Sequence, residues 1–165
     1  VRFLQHVLGG DRLQIRQELE KLALYAEGRS VITLKDAEQC VSSIRAFGLE
    51  DAAYHALEGN GHAACAVWED LEAEGEHAVT AVRTMQNLLL RLMWVQGRLE
   101  TGEALDAAIR KMRPPLFFKV EPRFRALLRP WPAERLARAL HLALEAERQC
   151  KNSAFEAGLI LRRLL

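Results

Sequence analysis

His62 and Cys65 stand three residues apart in "GHAACAVW". On a helix that spacing puts an imidazole and a thiol on one face, where they could supply two ligands to zinc. A structural zinc site usually shows paired spacings, and no second local His or Cys pair accompanies this one. The residues favour a surface histidine and a small buried thiol, with no metal bound. The run "WEDLEAEGE" offers Glu69, Asp70, Glu72, Glu74 and Glu76. Clustered carboxylates can hold Mg²⁺ or exchange protons. Here they close a short helix at Gly75, where a solvated acidic face is expected. His6, His55, His77 and His141 are scattered, with no acid or nucleophile at a telling spacing.

A phosphate-cradling loop needs glycine-rich backbone followed by Lys. The chain contains no Gly-Lys dipeptide, no GxGxxG, no GxSxG and no HExxH. The expectation is therefore no catalytic residue, no nucleotide or other cofactor, and no intrinsic enzymatic activity.

Helical spacing recurs along the chain and period-2 alternation is almost absent, which predicts an all-α fold. Asp11 and Gln14 read as a capping box for a helix to about Ala26, and Thr33 caps another from Leu34 to Arg45. Phe47-Gly48 reads as a break and a hinge. Residues 50–58 and 62–74 form an αα-hairpin joined at Gly59-Asn60-Gly61. The longest helix spans about Glu76 to Leu99, with Val82, Met85, Leu89 and Leu92 in an apolar stripe widened by Leu88, Val95 and Leu99. A helix this apolar is expected at the centre of a bundle. A short helix follows from Glu103 to Lys111 and is blocked by Pro114-Pro115. Pro122 predicts a broken pair of short helices. Pro132 opens a long helix to about Cys150. Ser153 and Glu156 form a capping box for the last one.

The composition agrees with this. Of 165 residues, 50% are apolar and 27% charged, with only 10 Gly and 5 Pro, so a disordered or turn-rich all-β chain is excluded. The three cysteines are odd in number and lack a CxxC pair, which fits a reducing compartment. No stretch approaches the ~20 apolar residues of a membrane span. The chain begins without Met in a segment that already looks helical, "VRFLQHVLGG", as a piece of a longer protein would.

Charge is balanced in total, 23 bases against 22 acids, but not along the chain. Residues 46–82 hold eight acids and no Lys or Arg; residues 110–138 hold nine bases against Glu121 and Glu134. The basic tract is a DNA contact, an acidic partner's surface or a solvated rim. Glu147 lies beside the apolar face formed by Leu136, Leu140, Ala143 and Leu144, with Lys151 four residues on. The pair either pins a local corner or anchors a subunit contact.

The order and spacing of these patterns resemble the delta subunit of the bacterial DNA polymerase III clamp loader. "QIRQELEKLALYAEG" with "VITLKDAEQCV" is similar to the end of that family's helical lid. "FGLEDAAYHALEGN" and "AACAVWEDLEAEGEHAVTAVRTMQNLLLRL" resemble the start of the next domain, and "RPWPAERLARALHLALEAERQCKNS" with "LILRRLL" its closing helices. Two positions depart from the family pattern: Glu147 stands where Asp is typical, and Pro132 where a Ser or Thr cap is usual.

The resemblance implies part of an AAA+-like lid at residues 1–45 and a helical collar at 46–165. It implies a cytoplasmic, non-catalytic subunit of a polymerase holoenzyme, which opens a sliding clamp and places it on primed DNA. Its partners would be the gamma/tau and delta prime subunits, the clamp through an N-terminal domain absent here, and primed DNA through the assembled complex. A collar ring joins unlike faces. Acidic and basic tracts on different sides would suit it, with Arg123, Arg125 and Arg129 steering encounter. Glu147 and Lys151 would be a polar anchor, and Leu159, Leu161 and Leu165 an apolar centre. Reversing the three arginines is then expected to leave the thermal transition nearly unaltered. The alternative is a free-standing helical DNA-binding module using residues 110–138.

Overall fold

A computed structural model describes residues 20, 23–24, 48–116, 120–152 and 157–165. Among them every regular element is a helix. The chain divides into two compact units, Val1–Gly48 and Leu49–Leu165. In the first, Glu20, Ala23 and Leu24 are helical, within the helix expected up to Ala26. The other features read between Asp11 and Arg45, together with Phe47, Ser153 and Glu156, lie outside the described residues. The boundary between the two units falls at Gly48, where the break was expected, but Gly48 itself is not a helix breaker. It is helical and continuous with the helix that follows.

Seven helices are described from Gly48 on: α1 (48–57), α2 (Gly61–Ala73), α3 (Ala78–Glu100), α4 (Leu105–Lys111), α5 (Glu121–Leu128), α6 (Ala133–Cys150) and α7 (Ala157–Leu164). The α1–α2 hairpin turns at Gly59, whose φ of 81° an L side chain rarely adopts. Asn60 then caps α2, its Oδ1 accepting from the Ala63 backbone N–H at 3.2 Å.

The 23-residue α3 is the axis of the bundle and packs against α4, α5, α6 and α7, most extensively α6. Its stripe is buried as the spacing predicts: Val82, Met85, Leu88, Leu89, Leu92 and Val95 are all in the core, and Leu99 packs at its edge. Trp68 and Tyr54 from the hairpin, Phe124 from α5, Leu136 from α6 and Leu161 from α7 complete the interior. Burying such side chains contributes roughly 1.5–3 kcal/mol each, before the entropy of ordering them.

Two prolines behave differently from expectation. Pro122 does not break α5 but falls in its first turn. The amide that proline lacks has no intrahelical partner there, so nothing is lost. Pro132 is the N-cap of α6 rather than its first helical residue. Glu103, expected inside α4, precedes the helix and instead accepts from Lys111 at 2.6 Å and Arg98 at 3.3 Å.

Candidate subunit interface

Glu147 is the meeting point of α3 and α6. Its Oε1 accepts from Lys151 at 2.8 Å and from Arg83 Nε at 2.8 Å, and its Oε2 from Gln86 Nε2 at 3.0 Å. The same Gln86 amide donates to the Ala143 carbonyl at 3.1 Å. Gln86 is buried, and these bonds satisfy it. Lys151, then Gln86 and Arg83, hold the Glu147 carboxyl down to a pKa of about 2. The i,i+4 pair visible in the sequence is thus half of a network that crosses between helices.

Arg123 does the same for α1 and α5. Its Nε and Nη2 grip the two oxygens of Glu58 at 2.7 and 2.8 Å, and Nη1 pairs with Asp51. The guanidinium also stacks 4.9 Å from the Tyr54 ring centre. The bond to Arg123 lowers the Glu58 pKa, and burial pushes the Tyr54 phenol up to about 12. Arg125 bridges Glu121 at 2.8 Å and Asp106 on α4 at 2.7 Å. Arg129 is exposed at the end of α5.

The basic and acidic tracts therefore do not fold onto separate sides as expected. Arg123 meets Asp51 and Glu58 directly, because α5 packs beside α1 and a bidentate carboxylate fork is the strongest partner within reach. Arg135 lies 4.1 Å over the Trp131 ring, and Arg138 pairs with Glu134.

The three leucines of the expected apolar centre separate. Leu161 is fully buried inside the chain, so it is corrected from surface to core. Leu165 is half-buried, and Leu159 is 58% exposed. Leu159 lines an open groove of about 720 Å³ between α6 and α7 together with Leu142, Ile160 and Leu164. Sequence reading missed Leu142 and misplaced Leu144: they are 61% and 51% exposed. Two residues apart on a helix is about 200° around its axis, so they lie on opposite flanks of α6. The missed signal is the stripe's width. Leu140, Leu142 and Leu144 cover more of the helix than one core can bury. Gln86, the one buried polar side chain among the described residues, was also legible as a polar position between Met85 and Leu89.

His62 is exposed and Cys65 is a free, half-buried thiol. Among the described residues no group of three or more His, Cys, Asp or Glu is placed to hold a metal ion. Glu69 and Glu72 of the acidic run face Arg162 on α7, at 3.7 and 3.3 Å. No described helix is long and apolar enough to cross a membrane.

The fold defines an all-helical bundle of a known kind. It is similar to the solved Bacillus subtilis DNA clamp loader delta protein, with a TM-score of 0.63 over 98% of this chain and 47% of that one, at 17% identity. In sequence the chain is similar to another delta protein. It is 28% identical over 119 residues to the probable DNA polymerase III subunit delta of Rickettsia prowazekii (strain Madrid E), covering 72% of this chain and 37% of that protein. No family model matches the chain. The resemblance to clamp-loader delta subunits, carried in the sequence by diffuse helical patterns, is thus found again in both comparisons. The chain spans less than half the length of either relative.

Proposed function

We propose that this chain is the C-terminal part of a non-catalytic delta subunit of the DNA polymerase III clamp loader, with a cytoplasmic role in DNA replication. One observation carries this reading: the chain is similar to delta proteins in sequence and in fold, the fold over nearly the whole chain. Residues 1–45 would belong to the AAA+-like lid and 46–165 to the collar. The collar holds the subunit in a pentamer with gamma/tau and delta prime. The clamp contact lies in a preceding domain, and primed DNA is met through the assembled complex.

Exposed leucines on both flanks of α6 support this, since a subunit within a ring offers different surfaces to its two neighbours. On one flank the Leu142–Leu159 groove supplies an apolar patch, and on the other Leu144 does. Of the rest of the expected contact set, Arg129 and Lys151 are exposed and Leu165 is half-buried. Arg123 and Glu147 act within the chain and shape the surface rather than meeting the partner. The same pairing weakens the DNA-binding alternative, because Arg123, Arg125 and Arg138 already face carboxylates.

Co-expression with the gamma/tau and delta prime subunits of the same organism tests the reading. A stable complex on size exclusion is expected, reduced by Leu142→Asp or Leu159→Asp. Absence of any complex, with tight binding of primed DNA by the chain alone, overturns it.

A further inference from the structure

A second groove, of about 690 Å³, is lined by residues of α1, α3 and the end of α4, shares none with the α6–α7 groove and is independent of the reading above. Leu90 and Trp94, one turn apart on α3 and 49% and 38% exposed, form its apolar wall with Pro114. Arg91 lies between them in sequence and lines the same groove, its side chain 22% exposed. Arg113 and Lys111 stand at the rim, and Glu50 is the single acid of the lining.

Arg91 is the unusual member. Its Nε is buried without an acceptor among the described residues. Its other contacts are long: Nη1 to Glu50 at 3.8 Å and Nη2 to the Pro114 carbonyl at 3.5 Å. The equally sheltered Arg123 is gripped at 2.7 and 2.8 Å by one carboxylate. A half-buried guanidinium left with only long contacts is costly, and a carboxylate is the group that satisfies its planar fork.

We propose that this groove docks an amphipathic, acidic peptide segment of a partner protein. The segment's apolar side chains lie on Leu90 and Trp94, and one of its Asp or Glu carboxylates pairs with Arg91. With Lys111 already held by Glu103, Arg91 and Arg113 against Glu50 still leave the groove positive, and two apolar anchors a turn apart match the spacing of a docked helix. Single-stranded nucleic acid fits less well. The Trp94 ring is already stacked by Arg98 at 4.9 Å, which occupies a face a base would need. Glu50 opposes a phosphate chain, whereas a docked helix can answer it with the free backbone N–H groups of its first turn.

The test is fluorescence anisotropy on the 165-residue chain with three labelled probes: a helical peptide of Leu and Glu at i,i+4 spacing, the same peptide with every Glu changed to Gln, and an oligothymidylate. The acidic peptide is expected to bind about tenfold or more tighter than the Gln peptide. Arg91→Gln abolishes that difference and leaves the Gln peptide unchanged, and Leu90→Ser weakens both peptides. Should Arg91→Gln fail to fold, the two peptides on the unaltered chain and the exposed Leu90→Ser variant still decide the matter. Equal binding of both peptides, no peptide binding, indifference to Leu90→Ser, or oligothymidylate as the tightest ligand each overturns the proposal.

Discussion

Arg123 and Glu58, 65 positions apart in the chain, meet edge to edge, Nε on Oε1 at 2.7 Å and Nη2 on Oε2 at 2.8 Å. This clasp joins α5 to the hairpin and changes what the basic tract is for. Arg123→Ala removes a two-pronged, partly screened contact and strands Asp51 beside Glu58. The expected loss is about 1–2 kcal/mol, or roughly 3–8 °C in Tm. Combined reversal of Arg123, Arg125 and Arg129 to Glu lowers Tm further, contrary to the expectation from charge pattern alone. An unchanged melting curve for Arg123→Ala would show the clasp to be energetically idle.

Glu147 makes stability depend on acid. Its pKa lies near 2 in the folded chain against an ordinary 4.5. A depressed carboxyl contributes its full share above the unfolded value and loses it as pH falls through the folded one. The contribution is therefore complete above about pH 4.5 and fades toward pH 2. Urea midpoints of the parent and Glu147→Gln are expected to differ most at neutral pH and to converge on acidification. A gap that stays constant with pH rules the network out as the source.

Two glycines are expected to respond with opposite sign. Gly59 has φ 81°, so Gly59→Ala costs about 1 kcal/mol in backbone strain although nothing lies within 4 Å of its Cβ position. Gly97 is exposed within α3, also with open space around it, so Gly97→Ala gains roughly 0.5–1 kcal/mol of helix propensity. Thermal melts of the two variants should move apart.

Leu159 and Leu161 separate assembly from stability. Leu159→Asp is expected to leave Tm within about 1 °C, since the side chain is largely solvated, while weakening capture of partner subunits. Leu161→Ala is expected to cost about 2–4 kcal/mol through the cavity it leaves. Denaturant midpoints alongside pull-down distinguish the two, and full partner capture by Leu159→Asp removes that groove from the interface.

Local signals were legible because they act over one or two turns. The Val82–Met85–Leu89–Leu92 stripe, the turn at Gly59 and the stop at Pro114 each follow from periodicity or backbone chemistry. Pro122 misled because proline breaks a helix interior yet suits a first turn, and position within the helix decides between them. The Glu147–Lys151 pair was readable at i,i+4. Arg83 and Gln86 on the same carboxylate were not, since they arrive from another helix, 64 and 61 residues away. The charge tracts misled for the same reason: composition along a chain does not say which helices become neighbours.

Gln86 also constrains how this sequence can drift. One base change converts a Gln codon to Glu. Here that change exchanges the amide that donates to Ala143 and Glu147 for a second carboxylate, facing a carbonyl and an ion of its own sign. The commonest neighbours of this gene in mutational space therefore include one that loosens the α3–α6 seam at its most buried polar point. Changing Glu147 first removes the like charge and eases that step. Positions 86 and 147 are expected to vary together among descendants, linked more tightly than either is to the residues beside it in the chain.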